Sequence, residues 1–158
     1  MIPYRVAGIP GEISRQVRTG LTSPQYGHPA YVELAAGYGP CRSCLRTFDE
    51  GKEDRILFTY DPFAGLDPYP SPGPVFIHWD DCPAYEADTF PAGLRHLPLT
   101  FEGYGADRWI VARERTQGGG DVDVEAAIER LLGRPEVAYV HVRNTRAACF
   151  VAKIERAG

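Results

Sequence analysis

Residues 61–73 carry four prolines, Pro62, Pro68, Pro70 and Pro72, between two short apolar runs at 55–60 and 74–79. Proline offers no amide hydrogen to a sheet ladder and fixes φ near about −65°, so this segment can be neither a helix nor an inner strand. It is expected to be a stiff, irregular connection, and the runs on either side of it are expected to be strands. Similar strand-length segments lie at 4–7, 31–36, 97–104, 108–114, 137–143 and 148–155, punctuated by Gly, Pro, Asn and Asp. Two stretches follow helical spacing instead. Ile9, Ile13 and Val17 recur at i, i+4 and i+8 before Gly20, and Val124, Ala127, Ile128 and Leu131 form a stripe. Asp121 or Asp123 is expected to cap the second helix, and Gly133 with Pro135 to end it. Residues 90–96 suit one helical turn. These segments predict an α+β fold: a mostly antiparallel sheet with two main helices on one side, in a single compact domain over residues 1–158.

The chain is 44% hydrophobic and 24% charged, the balance of a globular domain. A net charge of −4 argues against nucleic acid as a partner, because such surfaces are basic. No run approaches the roughly 18 apolar residues of a membrane span, and the opening Met1-Ile-Pro-Tyr-Arg lacks a signal-peptide pattern. A cytoplasmic, reducing compartment is therefore expected, with the four cysteines free or metal-bound rather than disulfide-bonded. Oligomeric state is not legible.

Chemistry concentrates at Cys41-Arg-Ser-Cys44 and at a strand that delivers His78 and then Cys82. Cys-x-x-Cys is the spacing of a zinc-binding turn, and His78 with Cys82 could complete a Cys3His set. Against metal, Cys41 and Cys44 lack the glycine that often shapes such a turn, and a core of this size needs no ion. On the sequence alone, packing of Cys44 and Cys82 as small buried hydrophobes is preferred. A redox dithiol is disfavoured because the pair opens no helix. A Cys82–His78 nucleophilic pair competes for the residues of the metal reading. Gly118-Gly-Gly120 precedes a helix start, but the aspartates there would repel a phosphate.

The last hairpin suggests a pocket. With Thr145-Arg146 as a two-residue loop, Val140, Val142, Cys149, Val151 and Lys153 share one face. Tyr139, His141 and Arg143 then share the other with Phe150, Ala152 and Ile154. That second face mixes polar and apolar groups as a pocket lining does. The preferred function is therefore binding of a small carboxylate or other anion, with an enzyme as an extension. Arg143 and Asn144 would bind the ligand with Tyr60 or Tyr69, and His78 and His141 would serve as acid and base. No cofactor is expected; zinc belongs to the alternative reading. The competing class is a structural or interaction module, with Phe63, Tyr69, Trp79 and Tyr85 as a partner surface.

Several blocks together resemble one uncharacterised bacterial family, known as domain of unknown function number twelve hundred and three. They are Cys41-Arg-Ser-Cys-Leu, Tyr60-Asp-Pro, Pro68-Tyr69, Gly73-Pro-Val-Phe-Ile-His78, Cys82 and His141-Val-Arg-Asn144. The resemblance spans residues 4–156. Gly51-Lys52 departs from an expected Gly-Glu pair without touching a candidate site. It implies a small soluble bacterial protein and brings no activity, cofactor or catalytic residue with it.

Overall fold

A computed structural model describes residues 2–63, 70–118 and 120–158. The fold is α+β and mostly sheet, with two helices and nine strands in antiparallel sheets among the described residues. The strands form two sheets rather than the single one expected, and the chain divides into two compact units. One comprises Met1–Ala7 with Glu86–Gly158, the other Gly8–Tyr85. Neither helix is long and apolar enough to cross a membrane.

The unit built from both chain ends holds a six-stranded sheet. Its strands are β1 (Tyr4–Ala7), β5 (Glu86–Ala87), β6 (Pro98–Tyr104), β7 (Ile110–Gln117), β8 (Tyr139–Asn144) and β9 (Phe150–Arg156), in the order β5-β1-β9-β8-β6-β7. Two-residue β5 escapes sequence reading because it is too short to show alternation. The expected helical turn is the 3-10 turn Ala92–Leu94. Helix α2 (Asp121–Leu132) buries the expected stripe, with Val124, Ala127, Ile128 and Leu131 at most 1% exposed. Burying each of the larger side chains contributes about 1.5–3 kcal/mol. Gly103 lets the sheet come close: a Cβ there would lie 3.3 Å from Leu131 and 3.1 Å from Val137. Gly120, rather than either expected aspartate, occupies the cap position, with φ 82°.

The final hairpin departs from the two-residue loop. Asn144 N–H donates to Cys149 O and Ala148 N–H to Asn144 O, so four residues, 145–148, make the turn. A bulge then offsets the ladder: Arg143 pairs with Phe150, but Val142 pairs with Ala152 and His141 with Lys153. The extra residue moves Ala152 and Ile154 onto the Val140–Val142 face and puts Lys153 with His141. Two of the six residues of the expected pocket lining thus belong to the apolar core.

The second unit holds helix α1 (Gly11–Gly20) and the sheet β2 (Tyr31–Leu34), β3 (Asp54–Tyr60) and β4 (Gly73–His78), in the order β2-β3-β4. Pro10 ends the chain's extended entry, so Ile9 precedes the helix instead of joining it, and Val17 carries the buried face. Ile56 and Phe58 pair with Ile77 and Val75, and all four are buried. Phe76 and His78 alternate to the opposite face, where Arg55 stacks 3.7 Å over the Phe76 ring and Phe48 meets the His78 ring at 4.7 Å. Strand alternation therefore presents His78 at the end of β4, beside an aromatic support.

Candidate metal centre

Cys41 to Leu45 forms a tight turn closed by Leu45 N–H donating to Cys41 O (2.8 Å) and Cys41 N–H to Arg46 O (2.9 Å). Leu45 takes φ 62°, the left-handed conformation that glycine would adopt more cheaply. This is why the missing glycine did not preclude a ligand turn. The glycine that matters comes from elsewhere: a Cβ on Gly8 would lie 2.6 Å from the carbonyl oxygens of Arg42 and Ser43. Ile9 N–H then donates to Arg42 O, Arg42 N–H to Phe76 O, and Tyr85 N–H to Ser43 O. From α1, Ser14 Oγ donates to Ser43 Oγ at 2.9 Å. The turn is thus fixed against β4 by backbone bonds that no local motif announces.

These restraints bring four donor atoms together. The Sγ atoms of Cys41, Cys44 and Cys82 and a ring nitrogen of His78 all lie within 4.8 Å of one another. Cys41 Sγ is 3.9 Å from Cys82 Sγ, and Cys44 Sγ is 3.4 Å from His78 Nδ1. Tetrahedral ligation with Zn–S near about 2.3 Å puts neighbouring sulfurs about 3.8 Å apart. The cluster is already close to that size. Its cysteines are free thiols, and the sulfur separation is far beyond an S–S bond of about 2.05 Å.

The surroundings suit a cation. His78 Nδ1 faces the thiols, while Nε2 lies 2.6 Å from Glu53 Oε2, a close contact bent off the ideal hydrogen-bond line. A carboxylate behind an imidazole orients the ring and raises its basicity as a ligand. His78 N–H donates to Cys41 Sγ at 3.3 Å. Arg18, with 12% of its side chain exposed, donates through Nε to His78 O (3.0 Å) and through Nη2 to Cys82 Sγ (3.1 Å). Three thiolates and a neutral imidazole around a divalent ion carry net charge −1, which the guanidinium offsets.

The protonation balance points the same way. Hydrogen bonding with Cys44 and then Cys82 lifts His78 to about 9 against the opposing effect of burial. Hydrogen bonds from Cys41 and Cys44, with smaller help from His78 and Arg18, push the Cys82 thiol down. Burial, then the neighbouring thiols, push Cys41 up. The cluster concentrates negative charge at Cys82 and positive charge at His78.

The other expected site residues are differently placed. His141 lies on β8 in the six-stranded sheet and His78 on β4 in the three-stranded one, in different units. His141 is fully buried among the rings of Tyr104, Tyr139 and Phe150, with centroids 5.1–5.2 Å away. Burial first, then Arg143, Lys153 and Arg108, lower its pKa to about 3, so it exchanges no proton near neutrality. Arg143 Nε donates to Glu102 Oε1 at 2.8 Å, and its Nη1 to Ala148 O at 3.2 Å. Asn144 Oδ1 accepts the backbone N–H groups of Arg146 and Ala147, each at 3.0 Å, and so ties the hairpin turn. Tyr60 ends β3 and is buried; that burial, with Asp61, raises it to about 12. Tyr69 lies outside the described residues. Of the expected aromatic surface, Phe63 is buried in the core and Trp79 is exposed. Sequence reading missed Gly8, Arg18 and Glu53, which no spacing rule links to the thiols.

Fold and site together define a small α+β protein with a pre-assembled Cys3His cluster. The chain belongs to the family described as protein of unknown function (DUF1203), whose pattern matches residues 38–156. That span contains all four clustered side chains and Glu53. Arg18 and Gly8 lie before it. Neither the curated proteins nor the solved structures contain a match.

Proposed function

We propose that this protein binds one zinc ion through Cys41, Cys44, His78 and Cys82, and that the metal holds the Gly8–Tyr85 unit together. The observation that carries this reading is the approach of four donor atoms to within 4.8 Å of one another. Four protein ligands leave no open coordination position, which is the mark of a structural rather than a catalytic zinc. The ligands come from a turn, a strand end and the segment after it, all bonded to α1, so a shared ion would cross-link most of the unit. Structural zinc contributes about 10–16 kcal/mol in small metal-dependent folds, comparable to the whole stability of a domain at about 5–15 kcal/mol.

This geometry weighs in favour of the metal reading against the simple packing preferred on the sequence. Packing alone accounts for neither the carboxylate behind His78 nor the guanidinium on Cys82. The carboxylate-binding reading centred on Arg143 has less in its favour, because Glu102 already occupies that guanidinium. Elemental analysis of protein purified without chelator tests the proposal. One zinc per chain is expected, and Cys44→Ser should remove it. Wild-type protein without stoichiometric metal would overturn the assignment.

A further inference from the structure

The four clustered side chains are not equally sheltered. Cys41, Cys44 and His78 are buried, whereas Cys82 is only half-buried. Cys82 also lines a half-open cleft of about 430 Å³ together with Gly11, Arg15, Arg18, Asp81 and Pro83. A reagent diffusing in from solvent through this cleft meets one sulfur of the set. Arg18 Nη2 stands 3.1 Å from that sulfur, and Cys41 Sγ lies 3.9 Å behind it.

We infer that Cys82 is an oxidation site at which hydrogen peroxide, entering by this cleft, unloads the metal and leaves a Cys41–Cys82 disulfide. The inference rests on the metal reading above. The Cys82 thiolate attacks one peroxide oxygen, the O–O bond breaks, hydroxide leaves and a sulfenic acid forms. Arg18, already donating to the sulfur, offsets the charge on the departing oxygen. The Cys41 thiolate then attacks the Cys82 sulfur, the S–O bond breaks and a second hydroxide leaves. Two thiolates have lost two electrons and the peroxide has gained them, leaving two hydroxides that the acid form of the buffer protonates to water. Cys44 and His78 remain, too few to keep a structural zinc. A reductant that supplies two electrons as a dithiol restores the set.

Gly11 provides a way to close the cleft without touching a ligand. A Cβ there would make ordinary contacts with Arg15 (3.5 Å) and Ala84 (3.6 Å), both on the cleft wall, so the side chain of Gly11→Leu would fill it. Zinc-loaded wild type, Gly11→Leu and Cys82→His are treated with hydrogen peroxide, zinc release is followed with a chromogenic chelator, and disulfides are mapped by mass spectrometry. Wild type should release its zinc, with Cys41–Cys82 as the first disulfide, and dithiothreitol should restore binding. Release from Gly11→Leu should be about tenfold slower, because thiolate access governs the rate. Cys82→His tests whether a non-oxidisable fourth ligand keeps the metal. If it binds zinc, it should resist peroxide; if it does not, Gly11→Leu and the disulfide map decide. Wild-type protein that holds zinc and keeps it under peroxide overturns this inference alone. So does a first disulfide between Cys41 and Cys44, or equal release from Gly11→Leu. A chain that never held zinc fails the metal reading instead.

Discussion

Two buried histidines divide the chemistry of this molecule. His78, in the Gly8–Tyr85 unit, is raised to about 9; His141, in the other unit, is lowered to about 3. Both lose water, and loss of water alone disfavours imidazolium. What separates them is the company each keeps. His78 faces the sulfurs of Cys44 and Cys82 and the carboxylate of Glu53, all of which favour positive charge on the ring. His141 faces Arg143, Lys153 and Arg108 and is walled by three aromatic rings. A buried imidazole among anions holds its proton, which a bound metal ion would replace. One among cations and rings is a neutral packing group. Burial does not distinguish a ligand from a core residue, but the sign of the neighbouring charge does.

The largest effect should follow from breaking the first environment. Cys44→Ser, or chelation of the wild type, should take zinc from one per chain to almost none and expose amides across residues 8–85 to hydrogen exchange. The scale is set by the roughly 10–16 kcal/mol of a structural zinc. Unchanged exchange in that unit would put the metal in a lesser role.

The second environment should reveal itself through acid. The unfolded state binds a proton at His141 near 6.5, whereas the folded state resists until about 3, so this residue's contribution is present above 6.5 and is lost as pH falls. Between pH 6.5 and 4.5 the loss should be about 2 kcal/mol, somewhat under the limiting slope of about 1.36 kcal/mol per pH unit because the unfolded imidazole is only half protonated at the start. Glu102 enters later. Burial pushes its carboxyl up, but Arg113, Tyr104 and Arg143 together outweigh this and hold it below its usual 4.5. Its contribution is therefore lost at lower pH still. Comparing the pH dependence of exchange in β8 for wild type and His141→Phe isolates the imidazole, since acid effects elsewhere are common to both. Parallel curves would mean that His141 is hydrated and free to titrate.

Arg18→Ala and Glu53→Gln leave all four ligands in place and should weaken zinc binding by about 10–100-fold each, the usual cost of losing an outer-sphere partner. Competition with a calibrated chelator measures this, and affinities within twofold of wild type would deny both residues a part in the site. The smallest effect is expected at Arg143→Ala. Glu102 keeps Arg113 and Tyr104, so the loss should be about 1–2 kcal/mol in a denaturant midpoint. A rim arginine with no partner would cost nothing.

Much of this is legible in the sequence. The strands, the α2 stripe and the mostly antiparallel α+β class follow from period and punctuation, which are local properties. The division into two sheets was not legible, because pairing among strands of similar character is a long-range choice. The bulge that moves Ala152 and Ile154 into the core likewise depends on one extra residue that leaves no mark in the alternation. At the site, the four ligands could be named from residue type and order. Whether they converge could not, because the turn is held by Gly8, Ser14 and Phe76, which are far from it in sequence. The expected union of His78 with His141 rested on one sheet carrying both, and the two strands belong to different sheets.

The central claim is that His78 and three thiolates share one ion. X-ray absorption at the zinc edge, on protein purified without chelator, reads the ligand shell directly. The account predicts three sulfurs near about 2.3 Å and one nitrogen near about 2.0–2.1 Å. A shell of oxygen and nitrogen alone, or no zinc in the sample, would contradict it.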